Sequence, residues 1–153
     1  MRTDASTLLE AAYAAWAAGD LDALMACFAD DVVFAIRLPP ENVPFAGLVR
    51  GKADLARQLM IILDDFEIVA YRPIQITVGA DTFHSQVEFI FRHKATGLAY
   101  EGSARHIWRV ENNKIVHFEE FHDIERTRAY FKLLASYARQ SGKSPADQSG
   151  RSD

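Results

Sequence analysis

Residues 83–122 carry apolar side chains at every second position, in three runs separated by turn-forming residues. Because a period of two places alternate side chains on opposite faces of a strand, each run is predicted to be a strand. The runs are joined at Thr96-Gly97 and at Glu111-Asn112-Asn113, which are typical of hairpin turns. The segment is therefore predicted to form three consecutive antiparallel strands. The first presents a largely apolar face made of Phe83, Ser85, Val87, Phe89 and Phe91.

The second and third of these strands place polar side chains among the apolar ones on a single face. That face carries Gly102, Ala104, His106, Trp108 and Val110 on residues 100–110, and Val116, Phe118, Glu120 and His122 on residues 114–122. If residues 111–113 form a three-residue loop, His106 is opposite Phe118. Glu120 then becomes the diagonal neighbour of His106, close enough for the two side chains to meet.

The first half of the chain follows a helical period instead, with apolar residues three and four positions apart. Gly19 is placed to end the first helix, and Asp20 to cap a short second one. The predicted elements outside residues 83–122 are a helix from about Thr7, a helix over residues 21–28, a strand over 32–38, a loop to about Gly51, a helix over 55–66, a strand over 74–78 and a last helix from about Asp123.

This order of elements, helices first and consecutive hairpins later, is typical of α+β domains. In such domains the helices gather on one face of an antiparallel sheet, and 153 residues are enough for one domain with its own core. We therefore expect one domain over residues 1–140, with an apolar pocket between the helices and a strongly curved sheet. Residues 141–153 are polar and are expected to form a disordered C-terminal tail.

The composition argues against several classes of protein. The formal net charge is −4 and no basic stripe is present, so a nucleic-acid partner is not expected. No window is long and apolar enough to suggest a membrane span. Cys27 is the only cysteine, and the N-terminal residues do not resemble a signal peptide, so a reducing, cytoplasmic location is expected.

Several segments resemble the NTF2-like superfamily, and in particular its SnoaL-like branch of polyketide cyclases and ketosteroid isomerase-related proteins. The resembling segments are Trp16-Ala17-Ala18-Gly19-Asp20-Leu21-Asp22-Ala23-Leu24, Phe28-Ala29-Asp30-Asp31-Val32, Pro44-Phe45-Ala46-Gly47 with Arg50-Gly51-Lys52, and the strand from Lys114 to Asp123. The resemblance covers roughly residues 7–135. It implies a cone-shaped curved antiparallel sheet with helices on its concave face (an NTF2-like or cystatin-like α+β barrel), a deep pocket, a frequent homodimer and no required cofactor.

Two groups of relatives match only part of a site. In ketosteroid isomerases the oxyanion tyrosine falls near Ala12, one residue from Tyr13, and the proton-shuttling aspartate falls at Ile36. In limonene-epoxide hydrolases the arginine and aspartate of an earlier strand fall near Val87 and Phe89. The resemblance therefore makes steroid isomerisation or epoxide hydrolysis less expected than other chemistry of this branch.

The polyketide cyclases match better, since they place a histidine on the penultimate strand and an acid on the last. These positions carry His106 and Glu120. The resemblance implies a cofactor-free isomerase or cyclase acting on a small, apolar, carbonyl-bearing molecule. Glu120 would move a proton next to the carbonyl, and His106 would donate a hydrogen bond to the enolate oxygen. Apolar neighbours are expected to raise the pKa of Glu120.

Other residues complete the expected pocket, and other interpretations stay open. The residues predicted to contact the substrate are Tyr13, Trp16, Trp108, Phe118, His122, Phe89 and Val87. The alternative is a non-catalytic binding or accessory protein, in which His106 and Glu120 only satisfy each other's hydrogen bonds. Although His106, His122 and Glu120 resemble a metal-ligating set, no metal is expected.

A homodimer is predicted through the outer face of the sheet. The residues expected at that interface are Glu88, Ile90, Arg105, Ile107 and Arg109. A broad sheet face with apolar residues among charges needs a partner or a cover.

Overall fold

The computed structural model describes residues 4–79 and 81–141, which form four helices and six strands. In chain order these are α1 (Asp4–Ala17), α2 (Leu21–Met25), β1 (Phe28–Arg37), β2 (Gly47–Arg50), α3 (Lys52–Asp65), β3 (Phe66–Val78), β4 (Phe83–His93), β5 (Ala99–Glu111), β6 (Lys114–His122) and α4 (Ile124–Ser141). The α+β class is confirmed. Apart from Ser141, which ends α4, the predicted tail lies outside the described residues.

The six strands form one curved, unclosed sheet in the order β2-β1-β6-β5-β4-β3. The three predicted strands of residues 83–122 are neighbours in it and pair antiparallel. One pairing departs from the expected antiparallel pattern, because β1 runs parallel to β6. That pairing sets Ile36 beside Glu120, so the first strand contributes to the same inner face as the last.

The hairpin between β5 and β6 is tighter than predicted, and this changes the register. Asn112 and Asn113 have φ values of 51° and 58°, the left-handed conformation of a two-residue turn, which asparagine tolerates well. Together with an irregularity between Arg109 and Val110, this turn places His106 directly opposite Glu120. The predicted pairing of His106 with Phe118 was therefore wrong, and the two site residues are closer than expected.

The same irregularity changes which residue faces the interior at the beginning of β6. Ile115 is fully buried, whereas Val116 is only partly buried, so the predicted inward position of Val116 was wrong. From Phe118 onward the inner face is the predicted one.

Strand β3 is the element that the sequence described least well. It begins at Phe66, where a helix was predicted, and runs through Pro73 to Val78. Its pairing with β4 shifts twice, between Ile68 and Ala70 and between Pro73 and Gln75. Its side chains therefore do not alternate regularly between the two faces of the sheet. The short edge strand β2 is a further difference, since a loop was predicted over its residues.

The helical predictions near the N-terminus are confirmed in part, because α2 ends at Met25 and Phe28, predicted to lie in that helix, begins β1. Gly19 has a φ of 69°, which suits the glycine after a helix end, and the Asp20 side chain accepts a hydrogen bond from the Ala23 amide at 3.0 Å. Helix α1 already includes Asp4, so the predicted start near Thr7 was wrong. None of the described helices combines the length and the hydrophobicity that crossing a bilayer requires.

The core lies between the helices and the inner face of the sheet. Phe28, Leu9, Ile36 and Leu55 are almost completely buried there. Gly102 is directly opposite Phe89, and a Cβ at Gly102 would lie 2.9 Å from the Phe89 ring. The absence of a side chain at this position therefore leaves room for the Phe89 ring against β5.

Candidate functional site

A cavity lies in this core, with a volume of about 80 Å³. Aromatic rings form most of its wall and come from β1, β3, β4, β5, β6, α1, α4 and the loop before β2. Aliphatic residues of α2 and α3 complete it. The polar side chains on the wall are His106, Glu120, His122, Thr127 and the tyrosines Tyr13, Tyr71 and Tyr100. The pocket is therefore apolar, with a small number of polar groups that could orient a ligand.

Glu120 and His106 meet inside this cavity, on neighbouring strands. The His106 Nε2 atom lies 2.9 Å from Glu120 Oε1, with His106 1% and Glu120 13% exposed. The other ring nitrogen of His106, Nδ1, lies 2.5 Å from the Tyr13 hydroxyl. The predicted pairing of His106 with Glu120 on one face is thus present, and a third group from α1 joins it.

The hydrogen bonds around His106 form one connected chain. Trp108 Nε1 donates to Ser85 Oγ at 2.8 Å, and Ser85 lies 2.5 Å from the Tyr13 hydroxyl. With a neutral imidazole, Ser85 donates to Tyr13, Tyr13 donates to His106 Nδ1, and His106 Nε2 donates to the carboxylate. Every donor then has an acceptor. His106 consequently has no free nitrogen to offer a ligand, contrary to the expected role as a donor to substrate.

The pKa of Glu120 is shifted in the direction opposite to the expected one. Burial favours the neutral acid and would raise this pKa, but the charge of His122 and the hydrogen bond from His106 outweigh it. The pKa of Glu120 is therefore held well below the ordinary range of a glutamate, and the side chain is a carboxylate. The prediction of a raised pKa counted the apolar walls but not two imidazoles on the same carboxyl group.

His122 forms an ion-pair contact with Glu120 that lacks hydrogen-bond geometry. Its Nε2 is 3.3 Å from Glu120 Oε2, and its side chain is 8% exposed. Neither ring nitrogen has a hydrogen-bond partner among the described residues. The ring packs edge-on against Phe89, with 5.7 Å between the ring centres. Glu120 thus uses Oε1 for His106 and presents Oε2 to His122.

Tyr71 is a polar residue of the site that the sequence did not reveal. Its hydroxyl is 3.5 Å from Glu120 Oε1 and 3.4 Å from His106 Nε2, at the long end of hydrogen-bond distances. Its ring stacks on Phe89, and burial raises its pKa well above that of a free tyrosine. Tyr71 lies in the irregular part of β3, where no alternation marks the inward positions.

The predicted substrate-contacting residues mostly line the cavity. Those on its wall are Tyr13, Trp16, Phe89, Trp108, Phe118 and His122. Val87 does not line it and is instead completely buried in the core. Helix α4 contributes Thr127 and Phe131 to the wall, and the Tyr100 hydroxyl lies 2.5 Å from Thr127 Oγ1. Within residues 4–79 and 81–141, no three His, Cys, Asp or Glu side chains are grouped to hold a metal ion.

The sequence matches a known protein family. The model of the SnoaL-like domain matches residues 9–118, so this protein belongs to the SnoaL-like domain family. Its fold is that of the NTF2-like and ketosteroid isomerase-like proteins, as the resemblance implied. No functionally curated protein matches the sequence.

Solved structures share the fold over most of the chain. A protein from Rhodopseudomonas palustris, provisionally named an isomerase, superposes with a TM-score of 0.72 at 19% identity, covering 85% of this chain and 98% of its own. An NTF2-like protein from Burkholderia thailandensis gives 0.69 at 25% identity, covering 90% and 98%. TerC, co-crystallised with polyporic acid, gives 0.71 at 15% identity, covering 87% and 99%. Fold similarity at these identities does not define a reaction.

Proposed function

We propose that this protein is a cofactor-free isomerase or cyclase that moves a proton next to the carbonyl group of a small apolar molecule. The observation that carries the proposal is one carboxylate, Glu120, in an apolar cavity, held in place by His106 and Tyr13. The family supports a small-molecule pocket, and structural relatives include a provisionally named isomerase and a protein crystallised with polyporic acid.

In this proposal Glu120 Oε2 takes a proton from the carbon next to the carbonyl. The electron pair of that C–H bond forms the C=C bond of an enolate, and the negative charge moves to the oxygen. In an isomerase the enolate is conjugated with a C=C bond, and Glu120 returns the proton to the far carbon of this dienolate. In a cyclase the enolate carbon attacks a second carbonyl, and Glu120 gives the proton to the alkoxide oxygen that results. No external reductant or oxidant is needed.

The low pKa of Glu120 makes it a weak base in the empty pocket. A ligand that takes over part of the stabilisation provided by His122, or that excludes water from the cavity, raises the pKa of the carboxylate towards the working range. His106 acts here as a positioning residue, since both of its nitrogens are already engaged by Tyr13 and Glu120.

Hydrogen–deuterium exchange tests the proposal. Cyclopentanone, a small neutral ketone, is incubated with the full chain in D₂O, and loss of its α-hydrogens is followed by NMR. Glu120→Gln keeps the shape and removes the base, so exchange should fall by about 100-fold or more. Glu119→Gln, the adjacent carboxylate on the outer face, is the matched control and should leave the rate unchanged.

Two results would contradict the proposal. One is a wild-type protein that binds the ketone but exchanges it no faster than buffer, which supports the alternative of a non-catalytic binding protein. The other is a Glu120→Gln protein that exchanges at the wild-type rate, which places the base elsewhere.

The homodimer through the outer sheet face is also a proposal. On that face Ile90 and Ile107 are half-buried, while Glu88, Arg105 and Arg109 are exposed among them. Such a mixed surface suits a partner that covers the apolar residues and leaves the charges at the rim. Light scattering at micromolar concentration should give twice the monomer mass, and Ile107→Glu should restore the monomer. A monomeric wild-type protein would rule the dimer out.

A further inference from the structure

The buried imidazole of His122 makes an ion-pair contact with Glu120 through Nε2, but its Nδ1 has no polar partner among the described residues. Its side chain is 8% exposed, it lies on the cavity wall, and neither ring nitrogen has a hydrogen-bond partner among the described residues. Buried polar side chains are nearly always paired, and an unpaired one weakens the folded state. An exception at a cavity wall points to a group that arrives with a ligand.

The other polar groups of the cavity already have protein partners. Tyr13 is bound to Ser85 and His106, Tyr100 to Thr127, and Trp108 to Ser85. Tyr71 has longer contacts, to Glu120 and His106. Within residues 4–79 and 81–141, His122 is therefore the cavity-lining side chain that keeps a buried nitrogen, Nδ1, with neither a hydrogen bond nor an ion-pair contact.

We infer that His122 is the residue that anchors the substrate, by donating a hydrogen bond to its carbonyl oxygen. The charged imidazole that helps to keep Glu120 ionised carries an N–H on each nitrogen, so Nε2–H faces Glu120 Oε2 and Nδ1–H remains for the ligand. A carbonyl oxygen is an acceptor with no hydrogen of its own. A carboxylate ligand is disfavoured, because the negative charge of Glu120 lies 3.3 Å from His122 Nε2. The fitting ligand class is a neutral, compact ketone with apolar flanks.

The inference rests on the proposed function for the position of the reacting carbon. His122 and Glu120 Oε2 are neighbours, so a carbonyl oxygen held by His122 leaves the adjacent carbon close to Oε2. The same hydrogen bond becomes stronger as charge moves onto the oxygen in the enolate. His122 thereby replaces His106 in the donor role that the sequence suggested.

A pair of isosteric ligands tests the anchor directly. Cyclopentanone and methylidenecyclopentane differ only in C=O against C=CH₂, and their binding to the full chain is measured by NMR titration. The wild type should bind the ketone about tenfold or more tightly than the alkene, because only the ketone can accept a hydrogen bond. His122→Phe should abolish this preference while leaving alkene binding unchanged or stronger.

Two further variants keep the test decisive. His117→Phe removes the histidine of the same strand that faces outward and pairs with Glu119 at 2.9 Å, and it should keep the preference for the ketone. If His122→Phe does not fold, His122→Asn retains an N–H on a shorter side chain and should show a reduced preference. His122→Phe also removes the ion pair with Glu120, so its thermal midpoint is expected to fall, and the preference for the ketone is the readout that decides the test.

The outcomes separate the anchor from the base. A wild type that binds ketone and alkene equally, or that binds no ketone, overturns the inference, and so does a His122→Phe protein that keeps the preference. A His122-dependent preference without α-hydrogen exchange supports the anchor and contradicts the proposed proton transfer. Exchange that depends on Glu120 in a His122→Phe protein that still prefers the ketone contradicts the anchor alone.

Discussion

Two histidine–glutamate pairs lie on opposite faces of the sheet, with their glutamates adjacent on β6, and they differ in what surrounds them. On the outer face Glu119 lies 2.9 Å from His117 and 3.1 Å from Arg37. On the inner face Glu120 lies 2.9 Å from His106. The outer histidine is 27% exposed, and the inner one is 1% exposed. The same two residue types thus form a partly exposed pair on one face and a buried polar centre on the other.

The two pairs show how burial changes the interactions that a carboxylate needs to stay charged. The pKa of Glu119 is lowered mainly by the hydrogen bond from His117. The pKa of Glu120 is lowered against a strong opposing effect of burial, so more interactions must favour its charged form. Removing one partner outside leaves water to replace it, whereas removing one inside leaves an unpaired buried group.

The largest expected effect concerns packing on the inner face. Trp108 is 3% exposed, and Trp108→Ala should lower the free energy of unfolding by about 3–5 kcal/mol. The neighbouring outward residue Arg109 is exposed, and Arg109→Ala should change it by about 0.5 kcal/mol or less. Urea denaturation of both variants measures the difference. Equal effects would mean that the two faces of β5 are not energetically distinct.

Replacing the inner histidine, His106, should destabilise the fold more than replacing the outer histidine, His117. His106→Ala leaves Glu120 and Tyr13 buried without their shared partner, and it should cost about 3 kcal/mol of unfolding free energy. His117→Ala should cost about 1 kcal/mol or less, since water replaces it. Chemical denaturation at neutral pH measures both. A cost at His117 equal to that at His106 would contradict the distinction between the pairs.

Gly102 offers a test of close packing on the inner face. Gly102→Ala places a methyl group 2.9 Å from the Phe89 ring, which must shift, and we expect a loss of about 1–3 kcal/mol. Ser103→Ala, at the next and exposed position of β5, should be within about 0.5 kcal/mol of the wild type. Thermal denaturation compares them. A neutral Gly102→Ala would show that the ring of Phe89 has room to move.

The smallest expected difference is between the contributions of Glu120 and Glu119 to stability in acid. Both carboxylates have pKa values below their ordinary value, so each contributes stability that is present above the unfolded glutamate pKa of about 4.3 and is lost as pH falls below it. Glu120→Gln should flatten this acid limb more than Glu119→Gln. Unfolding free energies between neutral and acidic pH measure the slopes. A steeper acid limb in Glu120→Gln than in wild type would reverse the sign assigned to Glu120.

Local sequence patterns determined several strand faces, two helix boundaries and the shared face of two site residues. Alternation along β4 and β5 identified their inner faces, because side chains in a strand alternate whatever the rest of the fold does. Gly19 and Asp20 marked a helix end and a helix start through their own backbone and side-chain chemistry. His106 and Glu120 were placed on one face by the same reasoning, and the family resemblance was confirmed.

Tertiary structure alone decided how the site residues meet. The left-handed Asn112-Asn113 turn set the register of His106 against Glu120, and two irregularities in β3 brought Tyr71 to them. The engagement of His106 by Tyr13, the unpaired nitrogens of His122 and the lowered pKa of Glu120 depend on distances between elements far apart in the chain. Periodicity identifies which face of a strand a side chain is on. Hydrogen bonding and charge stabilisation, however, change when the distance between two groups changes by a few tenths of an ångström, and only the packed fold sets those distances.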